Sequence, residues 1–376
     1  MPRSRRSVDT VIARDELAAW LRLLEAPQIG RETARRLLAH FGSPEAVVAA
    51  SPSALRALIG TAGAAWSEPL PDLAALVDAT QHWLEQGSGR GVVTLGDAAY
   101  PTAWLETPDP PLLVYVQGRV ELLQHPSVAI VGSRNPTAQG RDNAREFARS
   151  LGEAGLCVVS GLALGIDAAA HEGALAGPSS TIAIVGTGLD RVYPRRNLAL
   201  AHRIAAEGLL VSEYPLGSLP LAGRFPQRNR LIAGLARGTL VVEAALQSGS
   251  LITARLAAEY GREVFAIPGS IHSPQSRGCH ALIRQGARLV EGASDVLEEL
   301  RLEAPAARGQ TAQAGGGRLA EDPLLEALGF DPVTLDALVE RTGTAPAELS
   351  ARLLELELDG RVARLPGQLF QRVSRG

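Results

Sequence analysis

A chain of 376 residues with 46% hydrophobic and 20% charged side chains has an ordinary globular composition and is long enough for two or three domains. Its net charge of −3 excludes a globally basic nucleic-acid binder and leaves room only for a local basic site. The sequence contains no lysine, which excludes the Gly-Lys-Ser/Thr phosphate loop of ordinary ATPases and GTPases, and its two cysteines, Cys157 and Cys279, cannot build a disulfide framework.

The basic start, MPRSRRSVDT, has no apolar segment behind it, so residues 1–14 are expected to be a disordered tail rather than a signal peptide. No stretch reaches the roughly 18 to 20 apolar residues of a membrane helix. A cytoplasmic, reducing location is therefore expected, with Cys157 (in LCVV) a buried thiol. Residues 15–90 have helical spacing, as in Trp20, Leu21 and Leu24 and then Ala34, Leu37, Leu38 and Phe41. The breaks at PQIG and FGSP cut this region into short helices. Ile29-Gly30 and Ile59-Gly60 fit hairpins between helices, either a DNA-backbone module or a plain packing domain.

From about 91 to 300 the texture changes. The runs VVTLG, LLVYVQG, VAIVG, CVVSG, TIAIVG, LLVSEY, TLVVEA and VFAIPG alternate with amphipathic segments such as GRDNAREFARSLGEAG. Strands apolar on both faces and separated by helices predict a doubly wound, mostly parallel α/β sheet of Rossmann-like type. Ligands of such sheets sit at the carboxyl ends of the strands, beside helix N-termini. Residues 301–320, rich in Ala, Gly and Gln without periodicity, predict a flexible linker. Residues 321–376 read as helix, turn, helix and a hairpin around Leu365-Pro366-Gly367, a small winged-helix domain that binds either DNA or protein. Glu348, Glu355, Glu357 and Asp359 fall on its expected second and third helices.

Within the core, small residues recur where strands end, leaving amides suited to anionic oxygens. Any doubly wound sheet also needs such turns. Between Glu213 and Glu243 there is no acid, yet Arg224, Arg228, Arg230 and Arg237 occur there. Phe225 and Asn229 sit among these arginines, a pattern suited to a base stacked above a held phosphate backbone. The alternative is a solvated basic loop with Phe225 in the core. Asp167 and His171, four apart, suit acid–base work or, equally, a helix cap. No metal-ligand spacing and no nucleophile elbow occurs, so no catalytic residue, metal or cofactor is expected.

The segments GSRNPTAQG, VVSGLALGIDAAAH, IVGTGLDRVYPRRN, SEYPLG, FPQRNRLIAGLA, VVEAALQSGSLITA and IPGSIHSPQSRGCHALI together resemble the DprA/Smf family of DNA-processing proteins, in order over about 92–300. The flanks agree with that family's helical SAM-like or helix-hairpin-helix domain and its winged-helix domain. The resemblance implies a binding protein, not an enzyme. It would hold single-stranded DNA in natural transformation, protect incoming strands, load the RecA recombinase and act as a homodimer, with no membrane partner. It implies DNA-binding roles for Gly132, Ser133, Arg134, Ser160, Gly161, Phe225, Arg228, Asn229, Arg230, Ser248, Gly249, Ser250 and Thr253. His280 stands where the family usually has asparagine.

The rival reading is a nucleoside-monophosphate phosphoribohydrolase, since GLARGTLVVEA keeps the GT and Glu243 of a PGGxGTxxE signature but lacks its paired glycines. A third makes the chain an adaptor with a vestigial pocket. Because the motifs all fall in the core, residues 91–300 are expected to fold alone.

Overall fold

The computed structural model describes residues 12–60, 63, 66, 68–302, 322–329 and 332–373. Most of the expected tail (1–14) and of the expected linker (301–320) lies outside the described residues. Helices α1 (Arg14–Glu25), α2 (Arg31–Phe41), α3 (Pro44–Ala49), α4 (Pro52–Ile59) and α5 (Leu73–Glu85) form the N-terminal part. Their starts follow local chemistry. Ser43 and Ser51 accept hydrogen bonds from Ala46 N and Ala54 N at 3.1 and 3.2 Å, each with proline at the first helical position. Gly30 precedes α2 and Gly60 closes α4, as the apolar-glycine pairs predicted.

The core is built on β1 (Arg90–Thr94), β2 (Leu113–Gly118), β3 (Ser127–Val131), β4 (Cys157–Ser160), β5 (Thr181–Val185), β6 (Leu209–Ser212), β7 (Gly238–Val241), β8 (Glu263–Ala266) and β9 (Arg288–Leu289). They make one nine-stranded sheet in the order β1-β2-β6-β5-β4-β3-β7-β8-β9. From β6 to β9 every neighbouring pair is parallel; β1 and β2 join antiparallel at one edge. The helices between strands are α6 (Thr102–Leu105), α7 (Ala138–Glu153), α8 (Ile166–Leu175), α9 (Leu198–Glu207), α10 (Arg224–Leu235), α11 (Ser250–Glu259), α12 (Arg277–Arg284) and α13 (Ala293–Glu299).

Side chains alternate across the sheet. Ala129, Val131, Val159, Ile182, Ile184, Val211 and Val241 pack with Leu231, Ile232 and Ala254 of α10 and α11 on one face. Val128, Ile130, Val158, Leu240 and Phe265 pack with Ala144, Phe147 and Ala170 of α7 and α8 on the other. The chain therefore winds outward from β3 to β6 with helices on one face, then returns to β7 and winds the other way with helices on the opposite face. The reversal between β3 and β7 is a topological switch point, where loops diverge and leave a crevice.

Beyond residue 321, α14 (Pro323–Leu328), α15 (Leu335–Thr342) and α16 (Pro346–Leu358) carry a three-stranded sheet of β10 (Val333–Thr334), β11 (Val362–Leu365) and β12 (Leu369–Arg372). This winged-helix unit has its own core, with Leu325, Leu338, Leu353 and Phe370. The acids expected on its second and third helices gather on one: Glu348, Glu355 and Glu357 lie on α16, and Asp359 closes it.

Candidate nucleic-acid interface

A cleft of about 700 Å³ opens at the carboxyl ends of β3 and β7. Gly132, Ser133 and Arg134 enter it from the end of β3, Phe225, Arg228 and Asn229 from α10, and Ser248, Gly249, Ser250 and Thr253 from the turn into α11. Ten of the thirteen residues named from the sequence thus converge on one cleft.

The other three do not line it. Ser160 is fully buried and donates its hydroxyl to Ile130 O at 2.7 Å, tying β4 to β3. Gly161 lies behind Arg228; a Cβ there would fall 2.6 Å from the guanidinium nitrogens, so glycine is what lets the arginine pass. Arg230 points the other way. Its guanidinium pairs with the Glu213 carboxylate, donates to Asp109 O at 2.7 Å, and both partners of the Arg230–Glu213 pair are more than nine-tenths buried. Arg31 and Arg35 of α2 complete the cluster on Asp109 at 2.6 and 2.7 Å. Arg230 is thus a strap between α10, the end of β6 and the N-terminal helices, and the cleft receives no charge from it.

Arg228 and Arg134 divide the remaining work. Arg228 is buried and donates Nη1–H to Gly161 O at 2.7 Å and to Ile184 O, bridging the ends of β4 and β5. Burial pulls its pKa down to about 10, so it stays charged at neutral pH, and its Nε finds no partner among the described residues. Arg134 is exposed at the end of β3, and its guanidinium lies 6.0 Å from the centre of the Phe225 ring. Tyr193 completes an aromatic pair, with ring centres 5.6 Å apart and planes 31° apart. Half-exposed and lining the cleft, Tyr193 escaped the sequence reading. The signal was present in VYPRRN, an aromatic beside arginines as in GRFPQRNR.

The turn into α11 supplies polar groups. Ser248 and Ser250 hydroxyls lie 2.7 Å apart at the helix start, and Asn229 reaches Gly249 O at 3.4 Å. Positive partial charge at such a helix start favours anionic oxygens. Gln247 and Gln275, also unpredicted, line the same side. His280 lies outside the lining residues and bonds Gly269 O at 3.0 Å through Nε2, so it holds the loop after β8 with the single bond an imidazole supplies there.

Asp167, which also lines the cleft, and His171 each hold the loop after β4. Asp167 accepts from Gly161 N and Ala163 N at 3.1 and 3.3 Å, and burial pushes its carboxyl above the usual range. His171 accepts from Leu162 N and meets Thr181 Oγ1, fixing the loop after β4. That loop turns at Gly165, at φ +83°, where a Cβ would collide with Ser133 O.

The rival enzyme signature fares no better. Gly238-Thr239 of GLARGT open β7 at the amino end of the sheet, opposite the cleft. Glu243 is spent on Thr137, accepting from its N at 3.0 Å and its Oγ1 at 2.6 Å at the start of α7.

Residues 91–301 match the family model of DNA recombination-mediator protein A, with a DprA-like N-terminal HHH domain at 14–69 and a DprA winged-helix domain at 305–368. The chain belongs to the DprA/Smf family. Protein Smf of Escherichia coli is 41% identical over 298 residues, covering 77% of this chain and 79% of that one. The crystal structure of the DprA of Streptococcus pneumoniae matches with a TM-score of 0.62 at 37% identity, over 78% of this chain and 99% of that one. The DprA of Helicobacter pylori, solved for its single-stranded DNA binding mode, matches with a TM-score of 0.51 at 35% identity, over 56% of this chain and 95% of its own. In this DprA/Smf chain the cleft combines a cation, aromatic faces and helix-start amides. No helix among the described residues is long and apolar enough to cross a membrane.

Proposed function

We propose that this chain binds single-stranded DNA in the cleft at the β3–β7 switch point. Arg134 meets a phosphate, and Phe225 with Tyr193 stacks a base. The observation that carries the reading is Arg134 itself: an exposed guanidinium, with no acid in salt-bridge reach among the described residues, poised over an aromatic face. A planar fork donates two hydrogen bonds to one phosphate, and a base on Phe225 is sequence-tolerant because every base has a π-face. The single-stranded DNA binding mode of the Helicobacter pylori relative supports the same ligand. On this reading the protein shields incoming single strands in natural transformation, hands them to the RecA recombinase and acts as a homodimer. No step of chemistry is assigned to the cleft, whose buried acid, Asp167, accepts from two backbone amides through Oδ2.

Fluorescence anisotropy with labelled oligo-dT and a matched duplex across a salt series tests the reading. Tighter binding to the single strand is expected. Arg134→Ala should weaken it and flatten the log–log salt slope by about 0.7, the value of one single-strand phosphate contact. Arg134→Lys should keep the slope and recover only part of the affinity, because it retains charge without the fork. Wild-type affinity and slope in Arg134→Ala would remove Arg134 from the DNA.

A further inference from the structure

We propose that the mouth of the cleft is an apolar collar of Leu219, Leu221, Leu246, Ile252 and Ile271, which takes the faces of unpaired bases and makes the site selective for single strands. The inference rests on the single-strand reading above and names the residues that would enforce it.

Singly exposed leucines are normal on any protein surface, whereas several gathered at one site mark a binding surface. Twelve large apolar side chains are exposed among the described residues; of these, Ile252 lines the cleft itself, Leu219, Leu221 and Leu246 each adjoin a lining residue in the chain, and Ile271 lies four residues before one. Leu219 and Leu221 flank Pro220, which lines the cleft, on the segment between β6 and α10. Leu246 sits between the lining residues Ala245 and Gln247, Ile252 lines the cleft from the first turn of α11, and Ile271 is on the loop that brings in Gln275. All lie on the carboxyl side of the sheet. Their exposure ranges from 36% at Ile252 to 74% at Ile271, with Leu219 and Leu246 at 57%.

These side chains are not on slack chain. Arg224 donates to Leu219 O at 3.0 Å while its guanidinium lies 4.8 Å from the centre of the Tyr214 ring. Gly217 N donates to Asp190 Oδ1 at 2.9 Å, and Gly188 N to Ser218 O at 3.2 Å. The backbone that carries Leu219 is therefore anchored.

The surrounding charge says what the collar meets. Residues 214–242, 244–258 and 264–290 contain no aspartate or glutamate, although they contain eight arginines. An apolar surface inside an acid-free, arginine-bearing field suits a ligand that is itself a polyanion with apolar faces. An unpaired strand is such a ligand. A duplex turns its base faces inward and presents only edges and phosphates, so the collar adds nothing to duplex binding. The collar is also uncharged, so its share of the affinity is independent of salt, unlike that of Arg134.

The test compares the full chain with Leu246→Ser/Ile271→Ser, and with Leu219→Ser/Leu221→Ser as a second, independent variant. Anisotropy is read on labelled oligo-dT and on an abasic strand of equal length. Each variant should bind oligo-dT about tenfold more weakly, in line with the loss of two half-buried apolar contacts. The salt slope should be unchanged, and abasic binding should match the wild type. Melting temperature should hold, because the replaced side chains are exposed.

If both variants bind oligo-dT as the wild type does while Arg134→Ala weakens it, the collar is overturned and the cleft reading stands. If the wild type binds the abasic strand as tightly as oligo-dT, bases do not meet the collar and the proposal fails. If the wild type binds neither strand, both readings fail.

Discussion

His171 shows how a single side chain can be assigned a state from its neighbours. The Thr181 hydroxyl donates to Val158 O at 2.7 Å, so it can only accept from Nδ1 of His171, also 2.7 Å away. Nε2 is then the acceptor for Leu162 N–H at 3.3 Å. The ring is neutral, and burial, helped by the nearby Arg228 charge, pushes its pKa down to about 3. In the unfolded chain a histidine titrates near 6.5. The folded-state value is therefore depressed: below about pH 6.5 the unfolded chain gains a proton that the folded one refuses, and stability falls from there towards pH 3. This one group should remove about 2 kcal/mol at pH 5 relative to neutral pH. Asp167 and Glu243, both raised by burial, act in the opposite sense. Comparing wild type with His171→Gln cancels their effect. Urea midpoints at pH 7 and pH 5 should drop further for the wild type than for the variant. Equal drops would show that the ring titrates normally.

At the scale of elements, α10 faces two ways, and the two faces make different demands. Phe225, Arg228 and Asn229 look into the cleft, whereas Arg230 looks back to Glu213 and Asp109. Arg230→Ala would strand a buried carboxylate, a change that typically costs about 3–5 kcal/mol. Arg31, with its guanidinium 3.7 Å from Glu213, remains and should hold the loss near about 3 kcal/mol. The expected result is a lowered melting temperature with an unchanged salt slope for oligo-dT. A flattened slope with full stability would return Arg230 to the DNA.

The sequence could not separate Arg134 from Arg230, since each adjoins an asparagine and neither neighbours an acid in the chain. What separates them is Glu213, brought in by the fold from the end of β6. The strands were legible for the opposite reason: both faces of β3 to β7 are buried, so apolar runs ending in glycine or a polar residue announce them. β9 was not, because Arg288 and Leu289 are exposed at the edge and leave no run to read. Ser160 ends the VVSG run, where its hydroxyl joins β4 to β3, and a run of residue types does not say which way a side chain points.

On the scale of the whole molecule, the N-terminal helices and the sheet share one core. Trp20, Leu37, Val77 and Trp83 pack in the same cluster as Leu113, Tyr115, Ala183 and Leu210. Trp83 of α5 meets Tyr115 of β2 edge-on, with ring centres 6.1 Å apart, and Arg90 at the start of β1 donates to Trp83 O at 3.1 Å. The motifs suggested that residues 91–300 would fold alone, but motifs mark the ligand site and carry no information on which face of the sheet is covered. Removing everything before residue 91 would take Trp20, Leu37, Val77 and Trp83 out of the cluster they share with side chains of β1, β2, β5 and β6, leaving α9 to cover that face, and would cut Arg31 and Arg35 from Asp109. Buried apolar area is stabilising at roughly 25 cal/mol per Å², so that face carries several side chains' worth of stability.

The winged-helix unit, by contrast, holds a core of its own. A fragment of residues 12–302 is therefore expected to melt cooperatively and bind oligo-dT with nearly the affinity of the full chain. A fragment of residues 91–300 is expected to aggregate or melt well below it. Light scattering and circular dichroism on the two fragments, followed by anisotropy on whichever is monodisperse, decide the matter. A 91–300 fragment as stable as the longer one would make the helical domain an independent body, and a folded 12–302 fragment without single-strand affinity would move the DNA to the winged helix.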